Sequence, residues 1–167
     1  MRPAAAAPLR SLTRWRVDGS LAEVLAVLGA PEELPRWWPS VYLDVRAVRP
    51  GPAAGVGSRF DLHTRGWLPY TLRWRMRLAE ASPDGRVVVV EASGDLVGRG
   101  VWRFAPRAGA VEIAYDWAVR IEQPRLRGWL PLLAPVFAAN HRWAMRQGES
   151  SLRRELARRR AVVRQAA

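Results

Sequence analysis

The C-terminal stretch from Leu130 to Arg160 constrains the fold of this chain more than any other segment. Its apolar residues recur at spacings that place them on one side of an α-helix; they are Leu133, Phe137, Ala144, Gly148, Leu152 and Leu156. The opposite side, which is predicted to face water, carries Arg142, Arg146, Arg153 and Arg160. Because proline fits only in the first turn of a helix or at a kink, we expect the regular helix to begin near Pro135.

The chain before this helix is predicted to be mostly β-strand, with two short helices near its start. Ser11 to Val17 indicates a first strand, and Ser20 with Glu23 forms a capping box that predicts a helix over Leu21 to Leu28. A second short helix opens at Pro31, and the segment PRWWP is predicted to be a stiff loop that presents Trp37 and Trp38.

About six further strands follow in sequence. The clearest is TLRWRMRL, in which Leu72, Trp74, Met76 and Leu78 alternate with polar residues, as in an antiparallel strand with one buried face. In an earlier strand, Val41, Leu43 and Val45 are predicted to share one face, and PGPAAGVG at residues 50–57 is predicted to be a linker rich in turns. The predicted fold is therefore α+β: a curved antiparallel sheet of about seven strands wrapped around a long C-terminal helix.

Length and composition indicate one domain without disulfides. The chain has 167 residues, enough for a substantial core, and it contains no cysteine. We expect a flexible N-terminus over residues 1–10, a single domain over 11–160 and a frayed tail over 161–167. The absence of a secretory signal or a long apolar span favours a cytoplasmic protein.

The net charge of +12 does not by itself indicate nucleic-acid recognition. All of its basic residues are arginines scattered over strand faces and the last helix, and no reading motif accompanies them, so we expect no specific nucleic-acid partner. Two distant histidines without convergent carboxylates do not indicate a metal site, and no nucleotide-binding motif predicts a cofactor.

Aromatic residues are unusually frequent on the predicted inner faces of the strands. Two interpretations are open: the rings fill a small core, or they line a pocket together with small residues such as Gly98 and Gly100. In the second interpretation, the two glycines leave bare backbone that something bulky can approach.

The order of elements, together with several segments, resembles the START-like (helix-grip) superfamily, and in particular its polyketide cyclase/dehydrase and lipid-transport branch. The segments that carry the resemblance are PRWWPSVY at 35–42, SGDLVGRGVWRF at 93–104, YDW at 115–117 and PVFAANHRWAMRQGESSL at 135–152. The resemblance implies a deep apolar cavity between the sheet and the terminal helix that holds a hydrophobic small molecule such as a lipid, a polyketide or an aromatic metabolite. The superfamily includes carriers, receptors and cyclases, so the fold alone does not select one function.

The residues predicted to line this cavity come from the loop, the strands and the terminal helix. They are Trp38, Trp74, Trp102, Tyr115, Trp117, Asn140, His141 and Met145. The leading hypothesis is a binding protein, and the alternative is a cyclase or dehydratase in which His141 or Tyr115 moves a proton.

Several polar residues can be interpreted either as structural or as functional. His141 and Asn140 either hydrogen-bond within the fold or project into the cavity, whereas His63 is expected on the surface. Asp95 is typical of a Gly-Asp turn, and Asp116 is predicted to point outward, so neither is a strong catalytic candidate. The terminal cluster of Arg153, Arg154, Arg158, Arg159 and Arg160 is either a solvated helix face or a weak membrane contact of a lipid-transfer protein.

Overall fold

The computed structural model describes residues 8–49 and 55–166. The strands of this part of the chain are β1 (Leu9–Asp18), β2 (Tyr42–Arg49), β3 (Arg59–Arg65), β4 (Thr71–Ala81), β5 (Val87–Gly94), β6 (Leu96–Arg107) and β7 (Ala110–Ile121). The helices are α1 (Leu21–Leu28), α2 (Leu34–Trp37), α3 (Pro124–Arg127) and α4 (Leu130–Ala166), with a 3-10 turn at Pro31–Glu33. Residues 1–7 and most of the predicted linker at 50–57 lie outside the described residues.

The seven strands form one antiparallel sheet in the order β1-β7-β6-β5-β4-β3-β2. Strands β2 to β7 follow one another as hairpins, and β1 pairs with β7, which leaves β1 and β2 at the two edges. The sheet curves around α4, so the predicted α+β helix-grip fold is confirmed.

Helix α1 begins where the sequence indicates. The Ser20 hydroxyl accepts a hydrogen bond from the Glu23 amide at 3.2 Å, and the Glu23 carboxylate accepts one from the Ser20 amide at 2.7 Å. These two bonds satisfy amides that the first turn of a helix leaves unpaired, so the capping box fixes the start of α1.

The region around β2 differs from the prediction in two ways. The first part of PRWWP is helical instead of a loop, since α2 ends at Trp37, and both Trp37 and Trp38 are buried. A register irregularity between Tyr42 and Asp44 turns Tyr42 into the core and leaves Leu43 exposed. The simple alternation of Val41, Leu43 and Val45 fails because a β-bulge shifts the side-chain period by one residue.

Helix α4 is longer than predicted at both ends. It begins at Leu130, five residues before the predicted start, and it runs to Ala166 with Pro135 inside it. The amide that proline lacks would have bonded to the carbonyl of Pro131 in the first turn, so the helix loses one hydrogen bond near its end and continues. Strand β1 also begins earlier than predicted, at Leu9.

Within residues 8–49 and 55–166, the core consists of two hydrophobic clusters. The larger lies between the sheet, α1, α2 and the C-terminal half of α4, and its most deeply buried side chains are Val17, Val24, Val27, Val111 and Leu152. The smaller surrounds Ile121, Leu130 and Phe137 at the start of α4.

A buried carboxylate fixes the C-terminal half of α4 to the rest of the fold. The Glu155 side chain is 3% exposed and forms ion pairs with Arg36 at 2.8 Å, Arg158 at 2.8 Å and Arg159 at 2.7 Å. Arg160, predicted to face water, is half-buried and pairs with Glu23 at 2.7 Å.

The terminal arginine cluster is therefore engaged within the fold. Beyond the pairs already given, Arg153 donates to the Arg16 carbonyl and to Glu149, and Arg154 donates to the Ser151 hydroxyl. Of the two interpretations of this cluster, these contacts favour a structural role over a free basic surface.

Candidate functional site

A cavity of about 400 Å³ lies between the sheet and the N-terminal half of α4. Strands β1, β3, β4, β6 and β7 contribute to its wall, as do α4 and the segment around Trp38. Of the residues predicted from the sequence, seven line this cavity: Trp38, Trp74, Tyr115, Trp117, Asn140, His141 and Met145.

Stacked aromatic rings make one side of the wall. The rings of Tyr115 and Trp117 are 5.5 Å apart, and Trp74 lies 6.0 Å from Trp117. The Trp74 indole also donates a hydrogen bond to the Thr64 hydroxyl at 3.1 Å, which satisfies its N–H within the wall. These contacts fix the rings, so the wall has a defined shape.

Trp102 is the predicted site residue that does not line the cavity. Its ring stacks on Tyr115 with centroids 3.9 Å apart and packs edge-on against Trp15 at 5.7 Å. Trp102 therefore supports the wall from behind. It shares the inner face of β6 with the cavity-facing residues, but the Tyr115 ring covers it.

The glycines of β6 do not open the cavity either. A Cβ atom on Gly100 would meet the Tyr115 hydroxyl and the Trp117 ring, both at 2.6 Å, and one on Gly98 would meet the backbone and side chain of Val119. The bulky groups that approach this bare backbone belong to the protein itself. Gly100 thus allows Tyr115 and Trp117 to lie flat on the sheet.

Asn140 ties α4 to the loop between β3 and β4. Its Oδ1 atom accepts hydrogen bonds from the amides of Trp67 at 2.9 Å and Leu68 at 3.4 Å. Gly66 lies so close that a Cβ atom there would overlap the Asn140 side chain. Of the two interpretations of Asn140, the bond within the fold is the one observed, although the residue also borders the cavity.

His141 lines the cavity with an unsatisfied ring nitrogen. Its Nε2 atom is buried and has no hydrogen-bond partner among the described residues. Burial, together with the nearby Arg142 guanidinium, lowers the pKa of His141 to about 4. The imidazole is therefore neutral at pH 7, and Nε2 is free to give or accept one hydrogen bond.

Three tyrosines line the cavity, Tyr42, Tyr70 and Tyr115. Burial raises the pKa of Tyr42 and of Tyr115, and it raises that of Tyr70 to about 12, an effect partly offset by a hydrogen bond with Asn140. All three phenols are neutral at pH 7. That Tyr42 and Tyr70 line the cavity was not predicted from the sequence. The side chain of Tyr42 points inward because of the β-bulge, which cannot be read from the alternation, and Tyr70 follows a loop that shows no alternation.

The remaining polar candidates lie away from the cavity. The Asp95 carboxylate accepts a hydrogen bond from the Arg73 amide at 2.8 Å and so stabilises the turn between β5 and β6. Asp116 is exposed on β7. His63 lies on the outer face of β3 and is half-buried. Its Nε2 atom is buried and has no hydrogen-bond partner among the described residues.

Two further findings concern all of the residues that the structure describes. Residues 8–49 and 55–166 contain no group of three or more His, Asp or Glu side chains placed to hold a metal ion. None of the helices found there is both long enough and apolar enough to cross a lipid bilayer.

Solved structures share this fold at low sequence identity. The Zhui aromatase/cyclase from Streptomyces sp. R1128 has a TM-score of 0.70 and 17% identity, covering 90% of this chain and 94% of that one. A START superfamily protein from Mycobacterium smegmatis has a TM-score of 0.67 and 12% identity, covering 89% and 97%. Norcoclaurine synthase from Thalictrum flavum has a TM-score of 0.61 and 12% identity, covering 90% and 88%.

At the level of sequence, no curated protein matches the chain. The sequence profile of one family does match it, over residues 12–157, which is most of its length and includes every residue predicted to line the cavity. This protein belongs to the polyketide cyclase / dehydrase and lipid transport family.

Proposed function

We propose that the protein binds a hydrophobic small molecule, such as a lipid, a polyketide or an aromatic metabolite, in the cavity between the sheet and α4. The observation that carries this proposal is the cavity itself. Its volume of about 400 Å³ is in the range typical of ligand pockets, and its wall is mainly aromatic and aliphatic.

The chemistry of the interior supports a ligand whose buried part is uncharged. His141 is neutral at pH 7, and so are the phenols of Tyr42, Tyr70 and Tyr115. A charged group placed among them would lose its hydration without gaining an ion pair. The free Nε2 of His141 can orient a ligand carbonyl or hydroxyl through one hydrogen bond.

Proteins of the same fold give this proposal some support by analogy. One structure of norcoclaurine synthase is a complex with dopamine and hydroxybenzaldehyde, two aromatic molecules, and it shares 14% identity and a TM-score of 0.58 with this chain. Such a likeness concerns the fold, so the choice of ligand rests on the cavity described above.

Native mass spectrometry of the purified protein, followed by organic extraction, tests this proposal directly. We expect a co-purified hydrophobic compound, or a rise in melting temperature with members of a lipid and polyketide panel. A protein that carries nothing and is stabilised by no member of the panel would contradict the proposal.

A pair of substitutions on α4 localises any binding to the cavity. Ala138 lines the cavity and Ala157 is exposed on the same helix. Ala138→Phe should fill part of the space and weaken binding roughly tenfold, whereas Ala157→Phe should leave it unchanged. If titration of the same ligand shows that the two changes weaken binding equally, the ligand does not bind in the cavity.

A cyclase or dehydratase is the second candidate, and the unpartnered Nε2 of His141 favours it. Such an enzyme needs a group that moves a proton within a cavity that holds a reactive chain. His141 would act as the base and Tyr115 as a proton donor. With a poly-β-carbonyl substrate, His141→Gln should abolish turnover while ligand titration still shows binding; full turnover in that variant would exclude His141 from the chemistry.

Lipid transfer at a membrane is the third candidate, and it is favoured by apolar side chains exposed near the smaller cluster. Trp67 is 51% exposed in the β3–β4 loop, and Trp129 and Leu132 are 59% and 73% exposed at the start of α4. Tryptophan is enriched at membrane interfaces, and the exposed Arg65 and Arg125 would favour an anionic bilayer.

Vesicle sedimentation tests this membrane contact. With vesicles that contain an anionic phospholipid, Trp67→Ser with Leu132→Ser should weaken binding several-fold. Val163→Ser is a suitable control, because Val163 is 68% exposed near the other end of α4. Binding that is equally weak in the unchanged protein and in both variants would contradict this function.

A further inference from the structure

Strand β1 lies at an edge of the sheet, so one side of its backbone does not pair with another strand. In an antiparallel pair, the N–H and C=O groups of one residue point to the same side, and those of the next residue point to the other side. Alternate residues of β1 therefore direct both groups to β7, and the residues between them direct both groups away from it. The pairing runs from Leu9 to Asp18 without a bulge, so this alternation holds over the whole strand.

Hydrogen bonds from α4 show which residues of β1 have their backbone groups on the side away from β7. The Arg16 amide donates a hydrogen bond to the Glu149 carboxylate at 3.1 Å, and the Arg16 carbonyl accepts one from Arg153 at 2.8 Å. The Asp18 carbonyl accepts one from Arg160 at 2.7 Å. Arg16 and Asp18 are two residues apart, as the alternation requires.

The same alternation assigns Arg10, Leu12 and Arg14 to the side away from β7. Among the described residues, neither the other strands nor any side chain forms a hydrogen bond with the N–H or C=O groups of these three residues. Helix α4 therefore satisfies this side of β1 at one end only. The unpaired backbone groups of Arg10, Leu12 and Arg14 are called the free edge of β1 below.

Part of the free edge borders the cavity. Arg10 and Leu12 line it, whereas Arg14 does not. The side chains of these three residues alternate with the buried Trp15 and Val17, so they project from the outer face of the sheet, where Leu12 is 58% exposed. What Arg10 and Leu12 contribute to the cavity wall is therefore their backbone. A ligand that covers these groups without pairing with them would remove their hydration at a cost in free energy.

The geometry of the free edge defines the chemical group that it can bind. In an antiparallel ladder, one residue exchanges two hydrogen bonds with the residue opposite, whose N–H and C=O groups are attached to one shared carbon atom. The N–H and C=O of Leu12 are complementary to such a unit, and a plain hydrocarbon chain satisfies neither of them. The space beside Leu12 is the cavity itself, and α4 lines it as well, so the complementary group belongs to a molecule within the cavity.

We infer that the ligand of this cavity carries an aminoacyl unit, as an N-acyl amino acid or a lipid-linked peptide does, and that the backbone of Leu12 binds this unit. The Leu12 amide donates to the carbonyl of the unit, and the Leu12 carbonyl accepts from its N–H. The acyl chain of the ligand lies against the aromatic and aliphatic wall. This inference rests on the proposed binding function and adds the chemistry of one part of the ligand.

Two neutral ligands that differ at a single position test the inference. N-Decanoylglycine N-methylamide contains the aminoacyl unit, and in its ester analogue an oxygen atom replaces the glycine N–H. Displacement of N-phenyl-1-naphthylamine, a neutral fluorescent probe for apolar cavities, measures the affinity of each ligand. We expect the amide to bind roughly three- to tenfold more tightly, because the ester has no donor for the Leu12 carbonyl. In a wall without the free edge the ester would bind at least as tightly, since the amide loses more hydration.

Proline substitutions test the protein side of the contact, because proline has no N–H. Leu12→Pro removes the amide of the free edge and leaves the β1–β7 ladder intact, since proline is tolerated at such positions of an edge strand. Arg14→Pro is the matched control, because it makes the same change on the free edge away from the cavity. Leu12→Ala controls for the loss of the side chain. We expect only Leu12→Pro to weaken binding of the amide ligand, by roughly three- to tenfold, and unchanged affinity for the neutral probe will show that this variant is folded.

The outcomes distinguish this inference from the proposed function. If the ester binds as tightly as the amide, or if Leu12→Pro and Arg14→Pro weaken binding of the amide equally, Leu12 does not bind an aminoacyl unit, and the cavity still takes hydrophobic ligands. If Leu12→Pro does not fold, the comparison of the amide with the ester in the unchanged protein decides. If neither the probe nor either ligand binds, the proposed function fails together with the inference.

Discussion

A single imidazole, that of His141, couples the stability of this protein to pH. Its pKa lies at about 4 in the folded protein, below the ordinary value of 6.5 that applies when the chain is unfolded. The unfolded chain therefore binds this proton more readily, so the stabilisation from the neutral ring is complete above pH 6.5 and is lost as the pH falls toward 4. We expect the free energy of unfolding to fall by on the order of 2 kcal/mol over this interval.

Urea unfolding at several pH values between about 6.5 and 4.5 measures this effect, since most carboxylates protonate at lower pH. His141→Gln should flatten the dependence. The matched control is His63→Gln, which changes the second histidine of the chain and should leave the slope in place. A slope that survives in His141→Gln would contradict the assignment.

Gly148 is a second residue with a specific packing role. A Cβ atom at this position of α4 would overlap the ring of Trp38, which is itself buried among Trp15, Trp37 and Tyr42. Gly148→Ala should therefore destabilise the protein by roughly 1–3 kcal/mol, even though alanine favours a helix by about 1 kcal/mol over glycine.

Thermal or urea unfolding measures this change. Gly128→Ala serves as the comparison, because among the described residues no atom beyond Gly128 and its two chain neighbours lies within 4 Å of the position its Cβ would take. Stabilisation by Gly148→Ala would contradict this prediction. It would mean that the Trp38 ring can move aside and that this part of the cavity wall can rearrange.

At the scale of elements, both halves of α4 pack apolar side chains against the rest of the fold, and each half adds a different polar contact. The C-terminal half adds the ion pairs of Glu155, and the N-terminal half adds the hydrogen bonds of Asn140. Glu155→Gln should cost about 2 kcal/mol of stability, because it leaves Arg36, Arg158 and Arg159 without their shared carboxylate. Glu91→Gln removes a single pair with Arg77 whose side chains are half-buried, and it should cost much less.

Urea unfolding of the two variants at neutral pH gives this comparison. The pKa of Glu155 is held well below its usual range, mainly by hydrogen bonds from Arg158 and Arg36, so the carboxylate is charged throughout the measurement. Equal losses in the two variants would show that burial of Glu155 adds nothing to the pair.

Local signals in the sequence predicted most elements, and long-range contacts explain the errors. The capping box correctly predicted the start of α1, and strict alternation correctly predicted β4, because both signals depend only on residues that are close in sequence. The inward turn of Tyr42 depends on a bulge in the pairing of β2 with β3. The role of Glu155 could not be predicted, because its partner Arg36 is 119 positions away in the chain.

The same distinction applies to the candidate site. Alternation placed Trp74, Tyr115 and Trp117 on the inner face, and they do line the cavity. Trp102 has the same alternation, but a neighbouring strand brings the Tyr115 ring over it. Alternation reports the face of a sheet, and it does not report which residues of that face are covered by others.

At the scale of the whole molecule, the net charge of +12 predicts weak binding to nucleic acid without sequence preference. We expect measurable affinity for duplex DNA at about 50 mM salt that is largely lost by about 200 mM, because such binding depends on the release of counterions. Fluorescence anisotropy with two unrelated duplexes measures this. A preference for one duplex that persists at the higher salt would contradict it.

The residues of the cavity wall differ in how much of the fold depends on them, and this has a consequence for how the protein can change over time. The most deeply buried side chains, Val17, Val24, Val27, Val111 and Leu152, do not border the cavity. Trp38 and Trp117 border it and also belong to the core, whereas Ser11 and Ala138 border it and are only half-buried. Mutational drift, or a directed-evolution library confined to the half-buried wall positions, can therefore explore new ligands while the core stays the same.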